Sequence, residues 1–215
     1  MWDKENYPNT IYQIDPAKLE EIDWIANLEA EVYSSNDAPP KSVLEEWYCS
    51  NLNGFSIIRN KEGQKIGHID ILPLRPEALR KLVDGVIVER DIRGNDLYTP
   101  AERNLIRSLY IESVVIHPAQ GSSNARAVLY LLCSFISLVE RLCNPADVEN
   151  LYAIAATTRG IRFIRHVGFN RIKEANERKD GHDFFATTLA DLAARLSRLC
   201  GITTPSTLDA SSVVL

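Results

Sequence analysis

The sequence has no excess of positive charge, no long unbroken apolar run, no Cys-x-x-Cys and no internal repeat, and each absence removes a class of function. Lys and Arg total 24 against 29 Asp and Glu, a formal net charge of −5. That balance argues against nonspecific nucleic-acid binding and suits a cationic or amine partner. The apolar stretches are interrupted by Ser and Glu, so no membrane span is expected, and the polar start Met1-Trp-Asp-Lys-Glu-Asn6 is unlike a signal peptide. The four cysteines, Cys49, Cys133, Cys143 and Cys200, are scattered. They read as reduced thiols in a cytoplasmic protein, with Cys133 and Cys143 serving as small hydrophobes in or at the end of an apolar helix. No pair of histidines has metal-ligand spacing, so no metal is expected. His117, His166 and His182 read as structural or solvent-exposed.

What is present describes one domain. A chain of 215 residues, 45% hydrophobic and 25% charged, buries a core without staples. Residues 1–200 read as that domain and 201–215, rich in Ser and Thr without periodicity, as a flexible tail. Ile11 to Ile14 is a short strand. Leu19, Ile22, Ile25, Leu28 and Val32 recur at helical spacing, and Ser42 is placed to cap a second helix presenting Val43, Leu44, Trp47 and Tyr48. Phe55 to Arg59 and Lys65 to Leu72 form a hairpin about Asn60-Lys-Glu-Gly63. Residues 76–107 read as an insertion over the sheet. Leu109 to Ile116 is the most strand-like run, followed by a helix over Asn124 to Leu142 with a broad apolar face. Strands over Leu151 to Ala156, Phe169 to Lys173 and Phe184 to Thr188, a short helix over Thr157 to His166 and a last helix from Leu189, ended by Gly201, complete the order. Strand–helix–strand–helix–strand succession implies a parallel pair.

The most informative segment is the junction Tyr110-Ile-Glu-Ser-Val-Val-Ile-His-Pro-Ala-Gln-Gly-Ser-Ser-Asn-Ala-Arg126. An apolar strand enters a small-residue turn and a helix opens at once, so unpartnered helix amides face the turn and suit an anionic group such as a pyrophosphate. An ordinary strand-to-helix connection remains the alternative.

Gln120, Ser123 and Ala125 stand where the acetyl-coenzyme A loop of the GNAT acetyltransferase superfamily carries Gln/Arg-x-x-Gly-x-Gly/Ala. The resemblance extends through Phe163 to Gly168-Phe169. Ser123 replaces the middle glycine, and Pro118 lies one residue nearer Gln120 than is usual. The resemblance implies a mixed α/β fold: a central, mostly antiparallel twisted sheet with one parallel pair at the cofactor site, flanked by helices. It also implies transfer of an acetyl group from acetyl-CoA to a primary amine of a small molecule or a protein. A non-catalytic acyl-CoA-binding regulatory or interaction module is the alternative. The backbone of Val114, Val115 and Ile116 would meet the pantetheine. The amides of Gln120, Gly121, Ser122, Ser123, Asn124, Ala125 and Arg126 would meet the pyrophosphate, with Thr157 nearby.

Strict alternation places Tyr110, Glu112, Val114 and Ile116 on one face of the strand, so Glu112 is expected to be partly desolvated and a candidate general base. The family's tyrosine after the aromatic of the Thr157 to His166 helix is absent, because Ile164 follows Phe163. Tyr130 or a water would then act as acid. Tyr33, Asp37 and Asp70 are candidates for binding the amine, with His68 as a hydrogen-bond partner of Asp70, and the C-terminal helix and tail are candidates for a homodimer contact.

Overall fold

The computed structural model describes residues 11–33, 37–117 and 124–200. Seven strands form one sheet in the order β1-β2-β3-β4-β5-β7-β6. They are β1 (Tyr12–Pro16), β2 (Phe55–Asn60), β3 (Lys65–Leu72), β4 (Ser108–Ile116), β5 (Asn150–Ile154), β6 (Asn170–Lys173) and β7 (Phe184–Thr188). Every pairing is antiparallel except β4 with β5. The expected parallel pair is therefore present, and the mixed sheet is the one anticipated.

Helices cover both faces. On one side, α1 (Ile22–Val32), α2 (Lys41–Ser50) and α3 (Pro76–Val83) pack over Phe55, Ile57, Leu72, Tyr110 and Phe184. On the other, α4 (Asn124–Leu142) and α6 (Leu189–Leu199) pack over Ile58, Ile69, Ile71, Leu109 and Leu151, with α5 (Thr158–His166) adding Ile164. Two apolar clusters separated by a sheet follow from strands whose side chains alternate, each face needing its own cover. Trp47 is a core anchor: it is fully buried and its Nε1 donates to Ile92 O at 3.1 Å. That bond also ties α2 to the 76–107 segment, whose Leu79, Leu82, Ile92 and Leu97 are buried in the α1–α3 cluster. The segment is built of α3 and three short 3-10 turns.

Two expectations change. The N-cap of α2 is Pro40, and Ser42 lies within its first turn; the fixed φ of proline suits helix entry there. Cys133 and Cys200 are joined in a disulfide, with Cα atoms 5.9 Å apart, so they are not reduced thiols. Nothing in their spacing announces it, because the pair forms only when α6 packs back on α4. Cys143 is a buried free thiol, as expected, and its pKa is pushed up to about 11 by burial. The tail, the loop Gln120 to Ser123 and Gly201 lie outside the described residues.

Candidate functional site

The site begins with a parting of strands. Pairing of β4 with β5 runs from Ser108↔Asn150 to Ile111↔Ala153 and stops, while β4 continues to Ile116 with β3 alone beside it. Residues 112–116 thus present one backbone edge that β5 does not pair, a slot in which an extended ligand can hydrogen-bond to main chain. Next in the described chain after β4 is α4, a helix of 19 residues whose Ala125 and Arg126 are exposed. Its first amides and the positive end of its dipole favour an anion.

The parting coincides with a bulge. Opposite Asp70 and Ile71 of β3 stand Ser113 and Ile111, so Glu112 is the extra residue. A bulge bends and twists its strand and resets the alternation of faces. Strict alternation therefore fails at Glu112. Val114 and Ile116 join Ile111 against the α4 cluster, whereas Tyr110 belongs to the α1–α3 cluster. Ser113 faces α1, its hydroxyl 3.4 Å from that of Tyr33. Glu112 does not share a face with Val114 and Ile116 as expected. It belongs electrostatically with the acids of the α1–α3 side, Glu29, Glu89 and Asp70. The residue as a whole is half-buried, but its Oε2 is shielded and has no hydrogen-bond partner. Burial, reinforced by those three acids, pushes its pKa well above the carboxylate range.

Near Glu112 lies a cluster of polar side chains in the core. Glu29, His68 and Asp70 have 0% exposure and Ser113 has 2%. Asp70 Oδ2 and His68 Nδ1 are 3.1 Å apart, the pairing anticipated for these two residues. Burial raises the pKa of Asp70, offset in part by His68. For His68 burial favours the neutral ring, but Asp70 and then Glu29 outweigh it and the net shift is upward. Glu29 is pushed up to about 8 by burial, against the opposing pull of His68, and neither of its oxygens has a hydrogen-bond partner. Glu89 accepts a hydrogen bond from the Tyr110 hydroxyl, and burial raises it to about 7.

The remaining candidates separate. Tyr33 is half-buried, and burial holds its hydroxyl above its usual pKa. Asp37 pairs with His182 at 2.9 Å, joining the loop after α1 to the segment before β7. Asp70 is fully shielded and its carboxyl group is engaged by His68. Thr157 is the N-cap of α5, its Oγ1 accepting from Gly160 N at 2.9 Å. Tyr130 packs on Tyr12 with ring centroids 5.9 Å apart, in the cluster on the far side of the sheet from Tyr110. Ile164 is buried at 8% exposure and fills its position with hydrocarbon.

Glu29, Glu89 and Ser113 are members that sequence reasoning missed. The first had a signal: Ile22, Ile25 and Glu29 follow one another at helical spacing, so a carboxylate occupies the apolar stripe of α1. A cleft of about 780 Å³ lined by Asp15, Lys18, Glu21, Arg59 and Gly63 lies elsewhere, at the β1 edge, where Arg59 pairs with Asp15 and Glu21.

No protein-family model and no curated protein matches the chain. Solved structures do. The loading GNATL domain of CurA from Lyngbya majuscula aligns with TM-score 0.56 and 14% identity over 84% of this chain and 99% of that one. The GphF GNAT-like decarboxylase in complex with isobutyryl-CoA gives 0.57 and 15% over 82% and 99%. Ard1 from Thermoplasma volcanium gives 0.54 and 11% over 83% and 98%. The chain therefore has the GNAT fold, as the residues from Leu109 to Phe169 suggested.

Proposed function

We propose that this protein is an acyltransferase that moves an acetyl group from acetyl-CoA to a primary amine. The observation that carries the reading is the bulge at Glu112, where a shielded carboxyl sits at the mouth of an unpaired backbone edge in a GNAT fold. In this reading the main chain of Val114, Val115 and Ile116 holds the pantetheine arm and acetyl carbonyl. The amides of Gln120 to Arg126 receive the pyrophosphate, the serines adding hydroxyl donors. Tyr33 and Asp37 line the acceptor side. The amine nitrogen attacks the thioester carbon, the carbon–sulfur bond breaks, and the amine proton passes to Glu112 through a water. With Ile164 supplying no hydroxyl, the departing thiolate takes its proton from water. A raised pKa makes Glu112 a stronger acceptor for that proton than an ordinary carboxylate.

A second reading is favoured by Ile164 and Thr157: the first position is apolar and the second is occupied with capping α5. In it the chain binds acyl-CoA without efficient transfer and serves as a regulatory or interaction module. Calorimetric titration with acetyl-CoA and with free CoA, followed by an amine screen, separates the two. Micromolar binding with turnover supports the transferase, and binding without turnover supports the module. Absence of any CoA affinity overturns both.

A further inference from the structure

We propose that Glu29, His68 and Asp70 form a binding site for a divalent transition-metal cation of the Zn²⁺ type, clamping α1 to β3 beneath the β4 bulge. The inference stands apart from the acyl-transfer reading and does not depend on it. One donor atom from each of the three residues lies within 4.8 Å of those from the other two. His68 Nε2 is 3.7 Å from Glu29 Oε1, and His68 Nδ1 is 3.1 Å from Asp70 Oδ2. All three side chains have 0% exposure.

What distinguishes this group from an ordinary buried network is what it leaves unbonded. Both oxygens of Glu29, Nε2 of His68 and Oδ1 of Asp70 are shielded from solvent and have no hydrogen-bond partner. Buried polar atoms in native proteins are nearly always satisfied, so four orphans within one three-residue cluster call for a missing partner. Carboxylate oxygens and an unprotonated imidazole nitrogen all have lone pairs to give. The missing partner is thus an acceptor of lone pairs. An imidazole nitrogen with two carboxylates is a donor set for Zn²⁺ or a neighbouring first-row dication; Mg²⁺ and Ca²⁺ favour all-oxygen shells.

The test uses the full chain after removal of metal with chelator, titrated with Zn²⁺, Mn²⁺ or Mg²⁺ by calorimetry and followed by thermal unfolding. Zn²⁺ is expected to bind one to one and, at a hundredfold excess over Kd, to raise Tm by about 5–10 °C, with Mg²⁺ without effect. Glu29→Gln and Asp70→Asn, close in shape to the native residues, should each weaken binding at least about tenfold and abolish the rise. His182→Ala, which removes the partner of Asp37, should leave it intact. The ring ¹⁵N shifts of the unaltered protein give a readout that needs no variant: Zn²⁺ should move a ring nitrogen signal of one buried histidine. The proposal is overturned by a stripped protein that binds no Zn²⁺. Binding that survives both carboxyl substitutions, or four unmoved histidine rings, overturns it equally.

Discussion

Replacing Glu112 by Gln should slow catalysis and stabilise the protein at the same time. The side chain keeps its size, so the bulge and the backbone edge at 112–116 remain. If Glu112 takes the amine proton, its loss removes general-base catalysis, worth about 10²-fold or more in turnover. Stability moves the other way. A carboxyl whose folded pKa is raised above its unfolded value contributes stability that declines as pH climbs from the unfolded value through the folded one. For Glu112 the shift is upward, driven first by burial and then by Glu29, Glu89 and Asp70. At neutral pH the wild-type side chain therefore weighs against folding, while the amide, neutral at every pH, does not. Every tenfold by which folding weakens the acid amounts to about 1.4 kcal/mol, or roughly 3–5 °C in Tm for a chain of this size. Initial rates of thiol release from acetyl-CoA, taken from pH 6 to 9 alongside unfolding curves, read both effects. The wild-type rate should climb with pH as Glu112 ionises, and the variant should lose that limb. A variant as active as wild type with an unchanged pH profile would refute the assignment. A Tm that falls by several degrees would refute the claim that the carboxyl is shielded among acids.

Gly67 faces β4, and a Cβ there would collide with Val115 O and lie 2.6 Å from Ile116 Cδ1. Gly67→Ala should cost about 1–3 kcal/mol in denaturant unfolding and weaken acetyl-CoA binding in calorimetry by displacing Val115 and Ile116. The disulfide between Cys133 and Cys200 spans a sequence separation of 67 residues. Loop-closure entropy puts the cost of Cys200→Ser at about 4 kcal/mol, read as a lowered urea midpoint that a reducing agent reproduces in the wild type alone. Arg178, its side chain fully shielded, donates to Leu82 O and Val83 O at the end of α3, pairs with Asp180 and lies 4.6 Å over Phe184. Arg178→Met should destabilise by about 3–5 kcal/mol, since Asp180 loses its cation and the carbonyls their donor. Hydrogen exchange should then rise first in 76–107.

Much of the fold was legible because hydrophobic periodicity is local. Leu131, Phe135, Leu138 and Leu142 could be assigned to one buried face of α4 without knowing what covers them. The hairpin of β2 and β3 likewise followed from its turn and the apolar runs around it. The site was less legible. Glu112 could be named, but its direction was misread, because a bulge is a mismatch between two strands and cannot be counted along one. Glu29 is far from His68 in sequence, and no spacing rule pairs a helix residue with a strand it has yet to cover.

By itself, then, the sequence determined the kinds and order of the elements, including the strand and the helix on either side of residues 117–123, all of which depend on side-chain pattern over a few residues. Only the tertiary structure decided that β4 parts from β5 after Ile111, that Cys133 meets Cys200, and that Glu29, His68, Asp70 and Glu112 each bring a shielded, unpartnered polar atom to the core. Those outcomes turn on which surfaces meet when the two cores close, and on the desolvation that closing imposes on charges which are individually ordinary in the unfolded chain.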